Sequence, residues 1–162
     1  MGHSFGGYET SFIISQTRLF AAAIASGGIT DLNSFYLTVN RNSGKPDMWR
    51  FQSRQWRMER SPFEAPDLYN ASSPLYNASK IKTPLLLWTG KEDEQVDPRQ
   101  SVELHMALRA LKKKSIMLLY PDEGHVIASE SKQLDVNGRV LEWFSYFLKD
   151  EHHADWISNG MM

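Results

Sequence analysis

Apolar positions fall into two kinds of run, and their alternation sets the first expectation of the fold. Short continuous runs occupy residues 21–28 (AAAIASGG), 84–90 (PLLLWTG) and 115–121 (SIMLLYP). Apolar throughout and bounded by Gly or Pro, such runs predict strands buried on both faces. Pro84 opens its strand, a position where proline is tolerated. Between these runs the spacing is helical. Tyr8, Phe12, Ile13 and Gln16 lie near one face of a helix over about residues 6–17. Pro98 suits the first turn of a second helix, along which Val102 and Met106, and Leu104, Leu108 and Leu111, recur at helical intervals. A last helix over residues 131–149 puts Leu134, Leu141, Phe144 and Leu148 on its inner face, with Lys149 at its negative end. The tail beyond shows no periodicity. Strands alternating with helices predict an α/β fold: a mostly parallel sheet with helices on both faces.

Residues 30–79 break this rhythm, with two tryptophans, four prolines and room for two short helices. They are expected to lie over one end of the sheet as an irregular helical insertion, so that 1–162 forms part of a single domain. A composition of 41% hydrophobic and 23% charged residues is globular rather than disordered. The net charge of -1 gives no overall pull toward nucleic acid or anionic membrane. No apolar run approaches the roughly 18 residues of a membrane span, and no signal peptide is visible. With no cysteine, disulfide and thiolate chemistry are excluded.

Chemistry enters with Gly2-His3-Ser4-Phe5-Gly6, which fits G-x-S-x-G, a strand-to-helix turn that exposes a nucleophilic serine. Glycine on both flanks is expected because side chains there would clash as strand doubles back into helix. The strand leading into the turn is expected to lie before residue 1, leaving nothing to pin Ser4. A serine nucleophile needs a base, and the base an orienting acid. Asp93 follows the LLLW strand and His125 follows the IMLL strand, giving the chain order Ser, Asp, His of α/β-hydrolases. At the carboxyl ends of parallel strands the three would converge. Asp97 and Asp122 compete on the same loops, and Glu92 and Glu94 flank Asp93.

GHSFGGYETS, SPLYNASKIKTPLLLWTGKEDEQVDPRQSVELHMAL and LLYPDEGHVI resemble the catalytic domain of the prolyl oligopeptidase family of serine peptidases. The nearest likeness is to its dipeptidyl-peptidase IV and acylaminoacyl-peptidase branches, and it covers nearly the whole chain. The resemblance implies a truncated α/β-hydrolase, the C-terminal portion of a longer peptidase. It implies Ser4 as nucleophile, Asp93 as acid, His125 as base and the Phe5 amide as one oxyanion donor. It also implies a substrate pocket lined by Leu32, Phe35, Tyr36 and Val39, with Gln95 and Val96 from the acid loop. These apolar residues read equally well as plain core. Leu32 and Val39 stand where dipeptidyl-peptidase IV is aromatic, which argues against a strict proline preference.

Further expectations follow from the same likeness. The substrate is a short peptide and no cofactor or metal is called for; the paired His152 and His153 belong to the native tail. A second oxyanion donor would lie upstream, so the chain alone is expected to be inactive or weakly active. An exposed sheet edge is expected to recruit a second copy into a homo-oligomer. Bacterial members are often exported, which points to a periplasmic or exported parent. An esterase of the same fold shares the triad and is the nearest alternative. Residues 48–60, MWRFQSRQWRMER, are the basis of a different reading, a non-catalytic interaction module. Their plainer reading is an amphipathic helix with solvated arginines and tryptophans packed on the sheet. Two N-x-S matches, at Asn70 and Asn77, are read as chance.

Overall fold

The computed structural model describes residues 1–149, 151 and 154–159; His152 and His153 lie outside them. Among the described residues four parallel strands stand side by side in chain order: β1 (Gly2–His3), β2 (Ala23–Ser26), β3 (Leu85–Gly90) and β4 (Ser115–Tyr120). β2 pairs with β3 from Ala23↔Leu85 to Ser26↔Trp88, and β3 with β4 along their whole length. β1 is two residues long, pairing Gly2↔Ala25 and His3↔Ser26. The launching strand therefore has a stub within the chain, where none was expected.

Side-chain alternation along the strands divides the core. Ala23, Ala25, Leu85 and Leu87 pack with Ile14 of α1 (Phe5–Gln16) and with Leu104 and Leu108 of α5 (Arg99–Ala110). Ile24, Leu86, Ile116 and Leu118 face the opposite side, against Trp143 of α6 (Glu130–Leu148) and Ile157 of α7 (Asp155–Asn159). Helices thus cover both faces, as the strand pattern predicts. No described helix is long and apolar enough to cross a membrane.

Two helix faces differ from expectation. On α6, Leu134, Leu141 and Leu148 are all exposed, and the buried face is Val136, Val140, Trp143, Phe144 and Phe147. The large rings bury more apolar area than leucine, so Trp143 and Phe147 set the rotation of the helix. On α1 the inward face is Gly7, Ser11, Ile14 and Ser15, while Ile13 is exposed. Small residues there let the helix lie close on β2. The tail also gains structure: Trp156 of α7 stacks on Trp143 and donates its indole N–H to Glu142 at 2.6 Å.

Residues 30–79 contain three short helices, α2 (Leu32–Tyr36), α3 (Met48–Ser53) and α4 (Pro66–Ser72), and one 3-10 turn (Ala78–Lys80). All three helices contribute to a third core of Ile29, Leu32, Phe35, Tyr36, Phe51, Tyr69 and Val96. The expected amphipathic helix over 48–60 is only six residues long, and its tryptophans avoid the sheet. Trp49 is exposed beneath Arg50 and Arg54, and Trp56 packs on Phe5, Tyr8 and Phe51 instead.

Candidate active site

The chain reverses at Ser4, between β1 and α1, with φ 58° and ψ −120°. A non-glycine residue enters this left-handed region only at a cost, so the surroundings must hold it there. The Ser4 N–H donates to the Ser26 carbonyl at 2.8 Å, and Gly7 and Tyr8 N–H donate to the Ser4 carbonyl. Ser4 is therefore pinned, contrary to expectation. Gly2 is sterically required, since a Cβ there would lie 2.1 Å from the Gly6 carbonyl oxygen. Gly6 faces open space, so only one flanking glycine is needed for that reason. The second steric demand falls on Gly7, whose Cβ would come within 2.7 Å of the Ser26 oxygen.

The loops after β3 and β4 lie side by side. Lys91 N–H donates to the Tyr120 carbonyl and Glu92 N–H to the Glu123 carbonyl, both at 2.8 Å. The contact is so close that a Cβ on Gly90 would sit 2.1 Å from the Gly124 oxygen and 2.2 Å from that of Glu123. Asp93 is buried on the first loop, its Oδ1 accepting the N–H groups of Gln95 and Val96 at 2.8 and 3.0 Å. Its Oδ2 lies 2.7 Å from His125 Nδ1, and His125 Nε2 lies 2.8 Å from Ser4 Oγ. A carboxylate at Nδ1 fixes the proton there and leaves the Nε2 lone pair facing the serine hydroxyl. Such a relay can take a proton from Ser4. Asp97 accepts the Arg99 N–H at 2.9 Å, and exposed Asp122 lies 4.0 Å from Lys132.

Glu123 organises the histidine loop. Its buried carboxylate accepts the N–H of Ala128 at 2.6 Å and of Ser129 at 3.3 Å, with Lys132 Nζ 3.4 Å away. The Ala128 amide is the main cause that holds its pKa below the ordinary 4.5, with Ser129 and Lys132 adding. A lowered carboxylate pKa stabilises the fold above the unfolded value, and that contribution is lost as pH falls through the folded one. Glu123→Gln is expected to lower the urea midpoint at pH 7, with the difference from wild type shrinking below 4.5. Equal offsets at both ends of a pH series of urea melts would contradict this.

Leu32, Phe35, Tyr36 and Val96 sit with their side chains buried in the third core, while Val39 and Gln95 are exposed. A cleft of about 220 Å³ beside Asp93 is bordered by Phe35, Val39 and Gln95, and also by Arg41 and Asp47. The backbone amides of Gln95 and Val96 clamp the acid. Phe5 is the first residue of α1, so its N–H has no acceptor within the helix.

One neighbour of this relay gave no signal in the sequence, because any residue satisfies the first x of G-x-S-x-G. His3 stands with its ring 4.7 Å from that of His125 and stacks on Trp88 at 5.7 Å. Its Nδ1 lies 3.0 Å from Ser26 Oγ. Partial desolvation, and next the charge on His125, hold its pKa below the ordinary 6.5, with Asp93 opposing.

A family model described as the prolyl oligopeptidase family matches residues 1–151. A peptidase of Bacillus subtilis (strain 168), YuxL, itself described as uncharacterized, is 31% identical over 150 residues, 91% of this chain and 22% of its own length. Dipeptidyl aminopeptidase BIII of Pseudoxanthomonas mexicana is 33% identical over 148 residues, 89% of this chain and 20% of its own. The chain thus spans about a fifth of the length of these curated relatives. Among solved structures, the Pyrococcus horikoshii acylaminoacyl peptidase superposes with a TM-score of 0.78 at 23% identity. That likeness covers 99% of this chain and 26% of that one. It shows an α/β-hydrolase fold.

Proposed function

The chain belongs to the prolyl oligopeptidase family, and on that premise we propose that it supplies the serine-peptidase chemistry of an enzyme that cleaves short peptides through an acyl-enzyme. Ser4 Oγ attacks the scissile carbonyl while its proton passes to His125 Nε2. Asp93 holds the imidazole and offsets the charge it gains. The protonated His125 then delivers that proton to the leaving amine, and water repeats the sequence to release the acid. The Phe5 amide donates to the oxyanion. One observation carries this reading: the unbroken relay from Ser4 Oγ through both His125 nitrogens to Asp93, at 2.8 and 2.7 Å.

The reading assigns a single oxyanion donor, and losing one donor of a pair typically costs about 10²–10³ in rate. Slow turnover by the chain alone is therefore part of the proposal. A fluorophosphonate probe reports on the serine without requiring turnover. It is expected to modify Ser4 alone, located by mass spectrometry, and to leave Ser4→Ala unmodified. A folded chain that never reacts at Ser4 would overturn the proposal. Relative rates on matched ester and peptide substrates separate it from an esterase of the same fold.

A further inference from the structure

We propose that His3 is a positioning residue for His125, forming the wall beside the catalytic imidazole and doing so in its neutral form. The inference rests on the acyl-transfer reading above and concerns how that site is tuned.

The two imidazoles are tilted 45° to each other with centroids 4.7 Å apart. Their closeness depends on Gly27, which has φ +51°; a Cβ there would stand 3.3 Å from Cε1 of both rings. His3 is fixed from two other directions, by the stack on Trp88 and by the Ser26 hydroxyl. That hydroxyl also lies 3.4 Å from the Gly2 carbonyl, and when it donates there its lone pair accepts from Nδ1–H of His3. The tautomer that results leaves Nε2 as the place where a proton would add.

Acylation makes His125 an imidazolium as it takes the Ser4 proton. Asp93 compensates that charge from one side. A neutral His3 adds no charge of its own, whereas a protonated one places a like charge beside the imidazolium and opposes the transfer. The titratable groups that reach His3 are His125 and Asp93; Ser26 and Trp88 are neutral. Partial desolvation and the His125 charge both favour the neutral ring. The residue keeps solvent access, so acid can still protonate it.

The test is the pH dependence of Ser4 modification by the fluorophosphonate in wild type, His3→Leu and His3→Asn. With two coupled histidines, log rate in wild type should fall on the acid side with a slope steeper than about 1. Both variants should fall with a slope of about 1. His3→Leu should also lose about tenfold on the high-pH plateau, through a displaced His125. His3→Asn keeps an N–H for Ser26 and should recover most of that loss. A second readout does not depend on a reactive serine: in imidazole NMR titrations, His125→Gln should raise the His3 midpoint toward 6.5. Identical acid limbs in wild type and His3→Asn would overturn the proposal, and so would a His3 midpoint indifferent to His125→Gln. An unreactive Ser4 at every pH counts against the acyl-transfer reading instead, and the NMR titration then decides the His3 contact alone.

Discussion

Asp93→Asn is expected to slow phosphonylation of Ser4 by about 10⁴-fold while leaving the thermal melt almost unchanged. The fold survives because an asparagine Oδ1 still accepts the Gln95 and Val96 amides that hold this side chain. The chemistry fails because the other atom becomes an NH₂ group facing His125 Nδ1. A donor there forces the imidazole proton onto Nε2, the nitrogen that must accept from Ser4. Asp97→Asn, four residues on, serves as the control, since Asp97 accepts the N–H of Arg99 and stands apart from the relay. The measurement is the labelling rate of each variant alongside its melting curve. A loss below about tenfold in Asp93→Asn would mean that the carboxylate does not set the histidine tautomer.

Gly90→Ala should damage stability and reactivity together. The new methyl would meet two backbone carbonyls of the histidine loop, at 2.1 and 2.2 Å, and neither is the movable end of a side chain. Either β3 or that loop must shift, and forced overpacking of this kind costs about 3 kcal/mol. For a chain of this size that corresponds to a fall of roughly 6–12 °C in Tm. A shift of about 1 Å in His125 would further slow Ser4 labelling by about 10². Gly138→Ala gives the contrast: it lies within α6, a Cβ there meets nothing within 4 Å, and a gain of about 0.5–1 kcal/mol is expected. If Gly90→Ala melts like wild type, the two loops are not in the backbone contact described.

The elements carrying the relay were legible because each leaves a local mark. β3 is an apolar run closed by glycine, α5 begins just after a proline, and the turn at Ser4 requires Gly2. Order along the chain then supplied the candidate acid and base. Less legible was anything settled by volume between elements. The leucines of α6 keep a regular spacing, yet Trp143 and Phe147 decide which face turns inward, and no periodicity ranks one apolar side chain above another. The same holds for α1, where glycine and serines join Ile14 on the inward face because the helix must approach β2 closely. Gln100 was invisible for another reason. Its buried amide oxygen accepts the Thr30 and Asp31 N–H groups, both at 2.8 Å, which ties the loop after β2 to α5 across 70 residues. His3 and Glu123 likewise act through partners that only the folded chain brings near.

Spatial order equal to chain order has a consequence for how the molecule comes into being. Each new strand can add to the edge left by the one before, so the sheet can grow in step with synthesis. Of the relay residues Ser4 is made before Asp93 and His125 and occupies its turn once β2 is present, and His125 follows 121 residues later. The serine would therefore stay chemically dormant through most of assembly. Only the docking of β4 and its loop, the slow long-range event in such a topology, would switch it on. A chain built in this order brings its reactive pair together only after β1, β2 and β3 are in place.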